Sequence, residues 1–258
     1  MLEIKNTSSI NNKHINLMIY GHSGVGKTHL ISTLDKPFVI DTERGLLTLS
    51  GDIGNDISYA EIFNTKDLEE VYKYFAHDES ARAHRTIVID SLTELGELIL
   101  EPLKRVSKDP RQAYGAMQDE INGILRMFRD LPYNICYIAQ TDMIKDESGA
   151  LLYSPALPGD KLKQKLPHKF DEVLAFRIHK KTDEKGVITK TRYIQTESDG
   201  QWLAKDRSRN LSNFEKPNLQ NIINKCLKIK SNDIKELENV EENKIQNMEL
   251  SGQENDIA

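Results

Sequence analysis

The stretch that most restricts this chain is an eight-residue run, GHSGVGKT, at positions 21 to 28. Its three glycines permit backbone conformations that a β-carbon resists, so consecutive N–H groups can turn toward one anion. Lys27 can reach the outer phosphates of a polyphosphate, and the hydroxyl of Thr28 can coordinate magnesium at the start of a helix. The spacing predicts a phosphate-binding P-loop. The alternative is a glycine-rich turn that matches by chance.

The residues on either side of this run agree with a P-loop. Residues 15–20 are apolar enough for a buried strand, and residues 27–34 suit a helix. A loop between a strand and a helix is the setting that the motif requires. We therefore expect an ATPase that uses ATP and Mg²⁺, with nine nucleotide-binding residues: Gly21, His22, Ser23, Gly24, Val25, Gly26, Lys27, Thr28 and His29.

Length and composition limit the domain organisation. With 258 residues and 38% hydrophobic content, the chain can bury one sizeable core but not two large domains. We expect a polar segment at residues 1–14, an ATPase core at 15–228, and an acidic, disordered tail at 229–258. Because 35 Lys and Arg residues face 40 Asp and Glu residues, giving a net charge of -5, any nucleic-acid contact requires local basic patches.

Cysteine usage and hydropathy indicate the compartment. Cys136 and Cys226 stand in apolar runs without the paired spacing of a metal site, which is typical of reduced core residues. No apolar stretch approaches the length of a membrane span, and residues 1–13 lack the apolar region of a signal peptide. These features predict a cytoplasmic protein with no membrane partner.

A strand-like run at residues 86–90 ends in Asp90. A carboxylate in this place is the usual companion of a P-loop, because it holds the magnesium hydration shell. Thr28 and Asp90 are therefore the predicted metal ligands.

The catalytic base must come from another strand, because Ser91 rather than a second carboxylate follows Asp90. Glu43, just after the strand-like run 38–41, is the candidate, since ligands bind at the carboxyl ends of strands in open α/β sheets. The alternative is that Glu43 only caps the chain or pairs with Arg44.

A third strand-like run, residues 134–139, ends at Gln140. Its amide can touch the γ-phosphate or the attacking water and relay the nucleotide state to the segment that follows. That segment, residues 142–169, has two glycines and three prolines, and we expect a long functional loop. Its lysines could follow a phosphate backbone and Tyr153 could stack on a base. The alternative is a solvated hairpin with ordinary surface lysines.

The remaining periodicity completes the predicted α/β fold, which has a mostly parallel central sheet flanked by helices. Helices are expected from Asn64 or Thr65 onward, at 92–106 with a kink or break at Pro102, at 113–129 and at 218–228. Strand character returns at 172–178 and 187–195 around a turn, which predicts a C-terminal β-hairpin.

The set and order of these motifs resemble the RecA-like P-loop ATPases, most closely the phage-encoded, single-domain members that act in single-strand annealing or recombination. The resemblance covers roughly residues 15–210. Five elements carry it: GHSGVGKT at 21–28, VIDTERG at 39–45, TIVIDSLTEL at 86–95, YIAQT at 137–141 and AKDR at 204–207.

This resemblance implies residue roles. Lys27, Glu43 and Gln140 would be catalytic, and Lys205 and Arg207 would reach the nucleotide of a neighbouring subunit. The segments 107–114 and 142–169 would correspond to two DNA-binding loops. The residues that would contact DNA are Lys108, Arg111, Lys161, Lys163, Lys165 and Lys169.

The resemblance also implies a DNA-stimulated ATPase, working as a ring or filament on single-stranded DNA in the cytoplasm of a bacterial host. A single-strand-binding protein is a candidate further partner. No separate N-terminal helical domain or large C-terminal DNA-gathering domain is recognisable, which favours annealing over autonomous strand exchange.

Two other classes of protein stay open on the sequence. One is a nucleotide-clamped regulator or loader of a replication or recombination protein. The other is a small-molecule or nucleoside kinase, which shares the P-loop but usually has an arginine-bearing lid that the lysine-rich 142–169 segment does not resemble.

Overall fold

The computed structural model describes residues 13–50, 57–145, 149–182 and 185–229. Most of the predicted N-terminal segment and all but residue 229 of the predicted acidic tail lie outside these ranges. The domain boundaries proposed from the sequence therefore stay predictions.

A nine-stranded sheet forms the centre of the described part of the chain. Six strands run parallel in the order β3-β2-β4-β5-β1-β8, and β9, β10 and β11 add antiparallel pairings beyond β8; β6 and β7 form a separate hairpin. The strands are β1 (Asn16–Tyr20), β2 (Pro37–Asp41), β3 (Ser58–Glu61), β4 (Thr86–Asp90), β5 (Asn134–Ala139), β6 (Thr141–Lys145), β7 (Leu151–Pro155), β8 (Glu172–Thr182), β9 (Ile188–Gln195), β10 (Lys205–Asp206) and β11 (Phe214–Glu215).

Helices cover both faces of this sheet. They are α1 (Lys27–Leu30), α2 (Thr65–His77), α3 (Leu92–Val106), α4 (Pro110–Arg129), α5 (Asp160–Lys165) and α6 (Leu219–Cys226). Met18 and Tyr20 of β1 point to a core shared with α2, α3 and α4, whereas Leu17 and Ile19 point to a core shared with α1 and α6. Strands buried on both faces explain why the sequence shows continuous apolar runs instead of alternation.

The fold-class prediction is confirmed, including the C-terminal hairpin, in which β8 pairs with β9. Both cysteines are buried and free, as expected. In the part of the chain that the structure describes, no helix has the length and apolar character needed to cross a membrane.

One predicted helix start is wrong. Helix α4 begins at Pro110 instead of residue 113, because the Asp109 carboxylate caps it by accepting from the Arg111 N–H at 2.9 Å. Arg111 is therefore helical. Helix α3 continues through Pro102 without a break.

The segment 142–169 is not one long loop, and the hairpin that the sequence left open as the alternative is present. The first half of the segment is the β6-β7 hairpin, and α5 with a following 3₁₀ turn occupies the second half. Leu157, Leu162 and Leu166 are buried, so this segment packs on the core. The glycines and prolines mark turns between short elements.

Candidate nucleotide-binding site

The carboxyl ends of four parallel strands meet at one edge of the sheet. Tyr20 at the end of β1 lies beside Ala139 at the end of β5, and Asp41 at the end of β2 lies beside Asp90 at the end of β4. The residues that follow these strands therefore converge. This edge holds the P-loop and the predicted positions 43, 90 and 140.

The P-loop leaves β1 by a tight turn. A β-carbon on Gly21 would lie 2.5 Å from the carbonyl oxygen of Phe176, so glycine is required there. Gly24 and Gly26 have φ values of 75° and 102°, a region that L-residues with a β-carbon seldom adopt. The Lys27 Nζ lies over the loop and donates to the carbonyl oxygens of Gly21 at 2.8 Å and His22 at 3.2 Å. The ammonium is therefore held where outer phosphates would enter.

Thr28 and Asp90, the predicted metal ligands, are in contact. The Thr28 hydroxyl donates to Asp90 Oδ2 at 2.7 Å. Burial raises the pKa of Asp90 to about 6, the Thr28 hydrogen bond opposes this rise, and nearby Glu43 and Asp41 add to it. Burial likewise lowers the pKa of Lys27, opposed by Asp90 and Glu43. The Thr28 hydroxyl and the Asp90 carboxylate are oxygen ligands of the kind that Mg²⁺ prefers.

Glu43 lies between the ends of β4 and β5. The Ser91 hydroxyl donates a short hydrogen bond to Glu43 Oε1, and Gln140 Nε2 donates to the same oxygen at 3.4 Å. The Arg44 guanidinium stacks on the ring of Phe63 at 4.4 Å, and in the described part of the chain no ion pair joins it to Glu43. The structure thus brings Glu43 and Gln140 together beside Asp90, an arrangement that can hold and deprotonate a water.

Gln140 is also bonded to the segment that follows the hairpin. The Gln140 N–H donates to Thr93 Oγ1 at 3.0 Å, and the Thr93 hydroxyl donates to the Ala156 carbonyl at 2.9 Å. The Ala156 N–H returns a bond to the Gln140 carbonyl at 2.8 Å. The Gln140 position and the chain at Ala156 therefore form one closed hydrogen-bonded unit.

The two segments predicted to bind DNA are neighbours. Gly159, with φ 88°, packs so closely on α4 that a β-carbon would lie 3.3 Å from both Tyr114 and Gln118. Lys108, Arg111, Lys165 and Lys169 are exposed, and the Lys161 side chain lies outside the described part. Lys163 forms a short ion pair with Asp142, which ties α5 to β6.

Lys205 and Arg207 lie near the opposite edge of the sheet from the P-loop. Asp206 pairs with Glu172 at the start of β8, level with Leu17 near the start of β1. Lys205 Nζ donates to the carbonyls of Pro167 at 2.9 Å and Phe170 at 2.6 Å. Arg207 pairs with Asp171 at 2.7 Å. The structure does not bring these two cations to the P-loop of their own chain.

Arg192 is a P-loop contact that sequence reasoning missed. Its Nε, on β9, donates to the Val25 carbonyl at 2.8 Å. The three residues before it on β9, Thr189, Lys190 and Thr191, are polar and exposed, so no alternation of apolar and polar residues marked it. The contact joins the hairpin β8-β9 to the P-loop.

Comparison with known proteins finds one matching family. A family model described as "AAA domain" matches residues 13–208. Among solved structures, a KaiC-like protein of the hyperthermophilic archaeon Pyrococcus horikoshii OT3 is similar, with 14% identity and a TM-score of 0.39, over 70% of this chain and 77% of that chain. A comparison with curated proteins finds no match.

Proposed function

This chain belongs to the AAA domain family, and from that premise we propose that it is a RecA-like ATPase that binds single-stranded DNA and promotes annealing or homologous recombination. The family and the P-loop together identify a nucleotide-binding ATPase of the kind that uses ATP with Mg²⁺. The DNA role is the proposal.

In this proposal each side chain at the site has a separate role in ATP hydrolysis. Lys27 is positioned to neutralise charge on the outer phosphates, and Thr28 with Asp90 would hold the metal, which supplies charge neutralisation when bound. Glu43 would take the proton of the attacking water. Ser91 and Gln140 orient its carboxylate through the two hydrogen bonds to Oε1.

The observation that carries the DNA proposal is the connection from Glu43 through Gln140 and Thr93 to Ala156. A change in nucleotide state at Gln140 would shift the β6-β7 hairpin, because the chain at Ala156 is bonded to Gln140, and it would shift α5 through the Lys163–Asp142 ion pair with β6. The exposed cations Lys108, Arg111, Lys165 and Lys169 supply the local positive charge that an overall acidic chain needs to hold a phosphate backbone.

We further propose a homo-oligomer, with Arg207 acting on a neighbouring subunit. The Arg207 side chain is 56% exposed despite its ion pair, so part of the guanidinium is open to a second subunit. Lys205 is bound by two carbonyls of its own chain, which makes it the less available of the two cations.

The test is the affinity for single-stranded DNA, measured by fluorescence anisotropy with Mg²⁺ and a non-hydrolysable ATP analogue, with Mg-ADP, or without nucleotide. We expect the analogue to tighten binding about tenfold, a coupling typical of two-site proteins. Gln140→Ala should reduce this ratio, and Asn221→Ala, at an exposed amide on α6, should not. ATPase turnover should rise with single-stranded DNA. An affinity for single-stranded DNA that is the same with the analogue, with Mg-ADP and without nucleotide would contradict the proposal.

A second function is favoured by one feature of the same hairpin. Met143 and Leu151 expose 51% and 59% of their surface, which suits an apolar protein partner better than a phosphate backbone. In that case the chain would be a nucleotide-controlled regulator or loader of a replication or recombination protein. ATPase turnover stimulated by a single-strand-binding protein, reduced by Met143→Ser, and indifferent to DNA would support this function.

A further inference from the structure

His22, the second residue of the P-loop, contacts two aromatic rings outside the loop. Its ring centroid lies 5.5 Å from that of Tyr153 on β7 and 5.2 Å from that of Trp202, with interplanar angles of 85° and 84°. Both are edge-to-face contacts, the geometry that aromatic pairs prefer. The P-loop is therefore joined to the β6-β7 hairpin by a path that does not include Gln140.

Tyr153 and Trp202 form a single unit. Their rings stack at 4.5 Å and 26°. The Tyr153 N–H donates to the Gln201 carbonyl at 2.7 Å, and the Leu203 N–H donates to the Tyr153 carbonyl at 2.9 Å. The Tyr153 ring, which the sequence suggested for stacking on a base, is thus occupied by Trp202. A displacement of either ring must move the other.

Trp202 is held from another side by β8. It is buried, with 6% of its surface exposed, and the Arg177 guanidinium lies 4.8 Å from its ring. Arg177 is itself paired with Asp199 at 2.9 Å. The hydroxyl of buried Tyr20, at the end of β1, lies 3.0 Å from the Tyr153 carbonyl and 2.6 Å from the Leu203 carbonyl. These contacts fix the base of the aromatic unit to the rigid sheet.

His22 differs from these anchors because it is exposed and sits on the loop itself. His22 lies on the loop that would hold a triphosphate, whereas Tyr20 and Arg177 lie on strands β1 and β8. A change in the position of His22 on nucleotide binding would change its edge-to-face contacts with Tyr153 and Trp202.

We propose that His22, Tyr153 and Trp202 transmit nucleotide occupancy of the P-loop to the β6-β7 hairpin, with Tyr153 and Trp202 as positioning residues. The inference rests on the proposed function only where it concerns DNA. This path is a second connection from the P-loop to the hairpin, beside the one through Gln140. It also gives a role to the histidine at the second position of the P-loop, His22.

The chain carries its own probe for this route, because Trp202 is the single tryptophan of the sequence. Its emission should change saturably when Mg-ADP or a non-hydrolysable Mg-ATP analogue is added to the full chain. Tyr153→Phe keeps the ring and should respond like the parent. Tyr153→Leu should lose most of the amplitude. Tyr59→Leu, an exposed aromatic on β3, is the matched control and should change nothing.

The coupling is measured as the ratio of single-stranded DNA affinities with analogue and with ADP, each at saturating nucleotide for the variant used. We expect His22→Ala and Tyr153→Leu each to reduce this ratio on the order of fivefold, the size of one aromatic pair. The double variant should reduce it no further. Because His22 is exposed, His22→Ala tests the contact without disturbing the core.

Failure of this inference and failure of the proposed function have different signatures. If the emission of Trp202 in the parent responds to nucleotide but DNA binding does not, the proposed function fails, whereas the transmission through His22, Tyr153 and Trp202, which we call the relay, stands. If the parent shows nucleotide-dependent DNA binding that both variants retain, the relay is wrong and the function stands. The relay is also wrong if the emission of Trp202 does not change when nucleotide is added.

Discussion

The carboxyl ends of the parallel strands form one edge of the central sheet, the carboxyl edge, and their amino ends form the opposite, amino edge. Both edges carry clusters of charged residues, yet they are built differently. At the carboxyl edge, Lys27, Glu43 and Gln140 are partly or largely exposed, and Glu43 is held only by hydrogen bonds from two neighbouring strand ends. At the amino edge, Glu172 is fully buried and Lys205 is bound by two carbonyls. Charge at a strand end does not by itself indicate chemistry. The distinction is which groups lie together: Lys27 lies beside Asp90 and Glu43 on the P-loop, whereas Lys205 lies beside Asp171 and Glu172 away from it.

Glu172 at the amino edge is a buried carboxyl whose charged form is unfavourable. In the described part of the chain, its Oε2 has no hydrogen-bond partner, although its Oε1 accepts from the Ser208 N–H at 3.1 Å. Burial, with added repulsion from Asp206, raises the pKa of Glu172 to about 8. The group is therefore protonated at neutral pH, which makes it a structural carboxyl and not a charged one.

The largest contrast between the edges is expected from the two lysines. Lys27→Ala should lower kcat/KM for ATP on the order of a thousandfold, because the charge on the outer phosphates loses its nearest cation. Lys205→Ala should instead lower the free energy of unfolding by about 1–3 kcal/mol, since two carbonyls lose their donor. Steady-state ATPase assays and urea unfolding measure the two effects.

Lys66→Ala, at an exposed position in α2, is the matched control and should change neither quantity. If Lys27→Ala unfolds the chain while Lys205→Ala leaves its stability intact, the contrast between the edges is reversed and the assignment of the site is lost.

A second prediction separates binding from turnover at the carboxyl edge. Glu43→Gln should retain nucleotide affinity and lose on the order of a hundredfold in kcat, because the amide still accepts from Ser91 but cannot take a proton. Binding by equilibrium titration and turnover by phosphate release check this. Glu61→Gln, at the exposed end of the neighbouring strand β3, should behave like the parent. Equal losses in both variants would remove Glu43 from the proposed chemistry.

The third prediction concerns the pH dependence of stability at the amino edge. The folded-state pKa of Glu172, about 8, lies above its ordinary value of 4.5, so the folded state binds the proton more tightly than the unfolded state. Its contribution to stability is complete below 4.5 and is lost as the pH rises through about 8. Glu172→Gln, which cannot ionise, should flatten this part of the curve of unfolding free energy against pH. Glu197→Gln, at an exposed position, is the control and should leave the slope of unfolding free energy against pH unchanged. If Glu172→Gln also leaves this slope unchanged, another group is responsible for the pH dependence.

The smallest effect is expected at Arg192. Arg192→Ala should weaken nucleotide binding about fivefold, the value of roughly one hydrogen bond, because the Val25 carbonyl loses its donor and the P-loop is less restrained. Arg192→Lys should recover part of the affinity. Lys190→Ala, nearby on β9 and exposed, is the control. Nucleotide affinity that is equal in all three variants would show that the P-loop holds its shape without β9.

Elements formed by neighbouring residues were predictable from the sequence. The strand at Thr86–Asp90 and the helix at Leu92–Val106 match their predicted bounds, because a continuous apolar run and a helical repeat are both local patterns. The β6-β7 hairpin stayed one of two alternatives because its strands are five residues long, with apolar and polar side chains mixed on their faces. Arg192 was missed because its partner is 167 residues away in the chain.

The sequence alone determined that this chain has a P-loop, a strand ending in an aspartate and one α/β core, since glycine spacing and apolar runs act over a few residues. Only the tertiary structure decided which groups surround each charged residue. The sequence predicted that both Lys27 and Lys205 act on a nucleotide, and each donates to two backbone carbonyls, but Lys27 lies over the P-loop beside Asp90 and Glu43, whereas Lys205 lies beside Asp171 and Glu172. That difference depends on which distant segments fold against each lysine, and pairing over long distances leaves no mark in a local pattern.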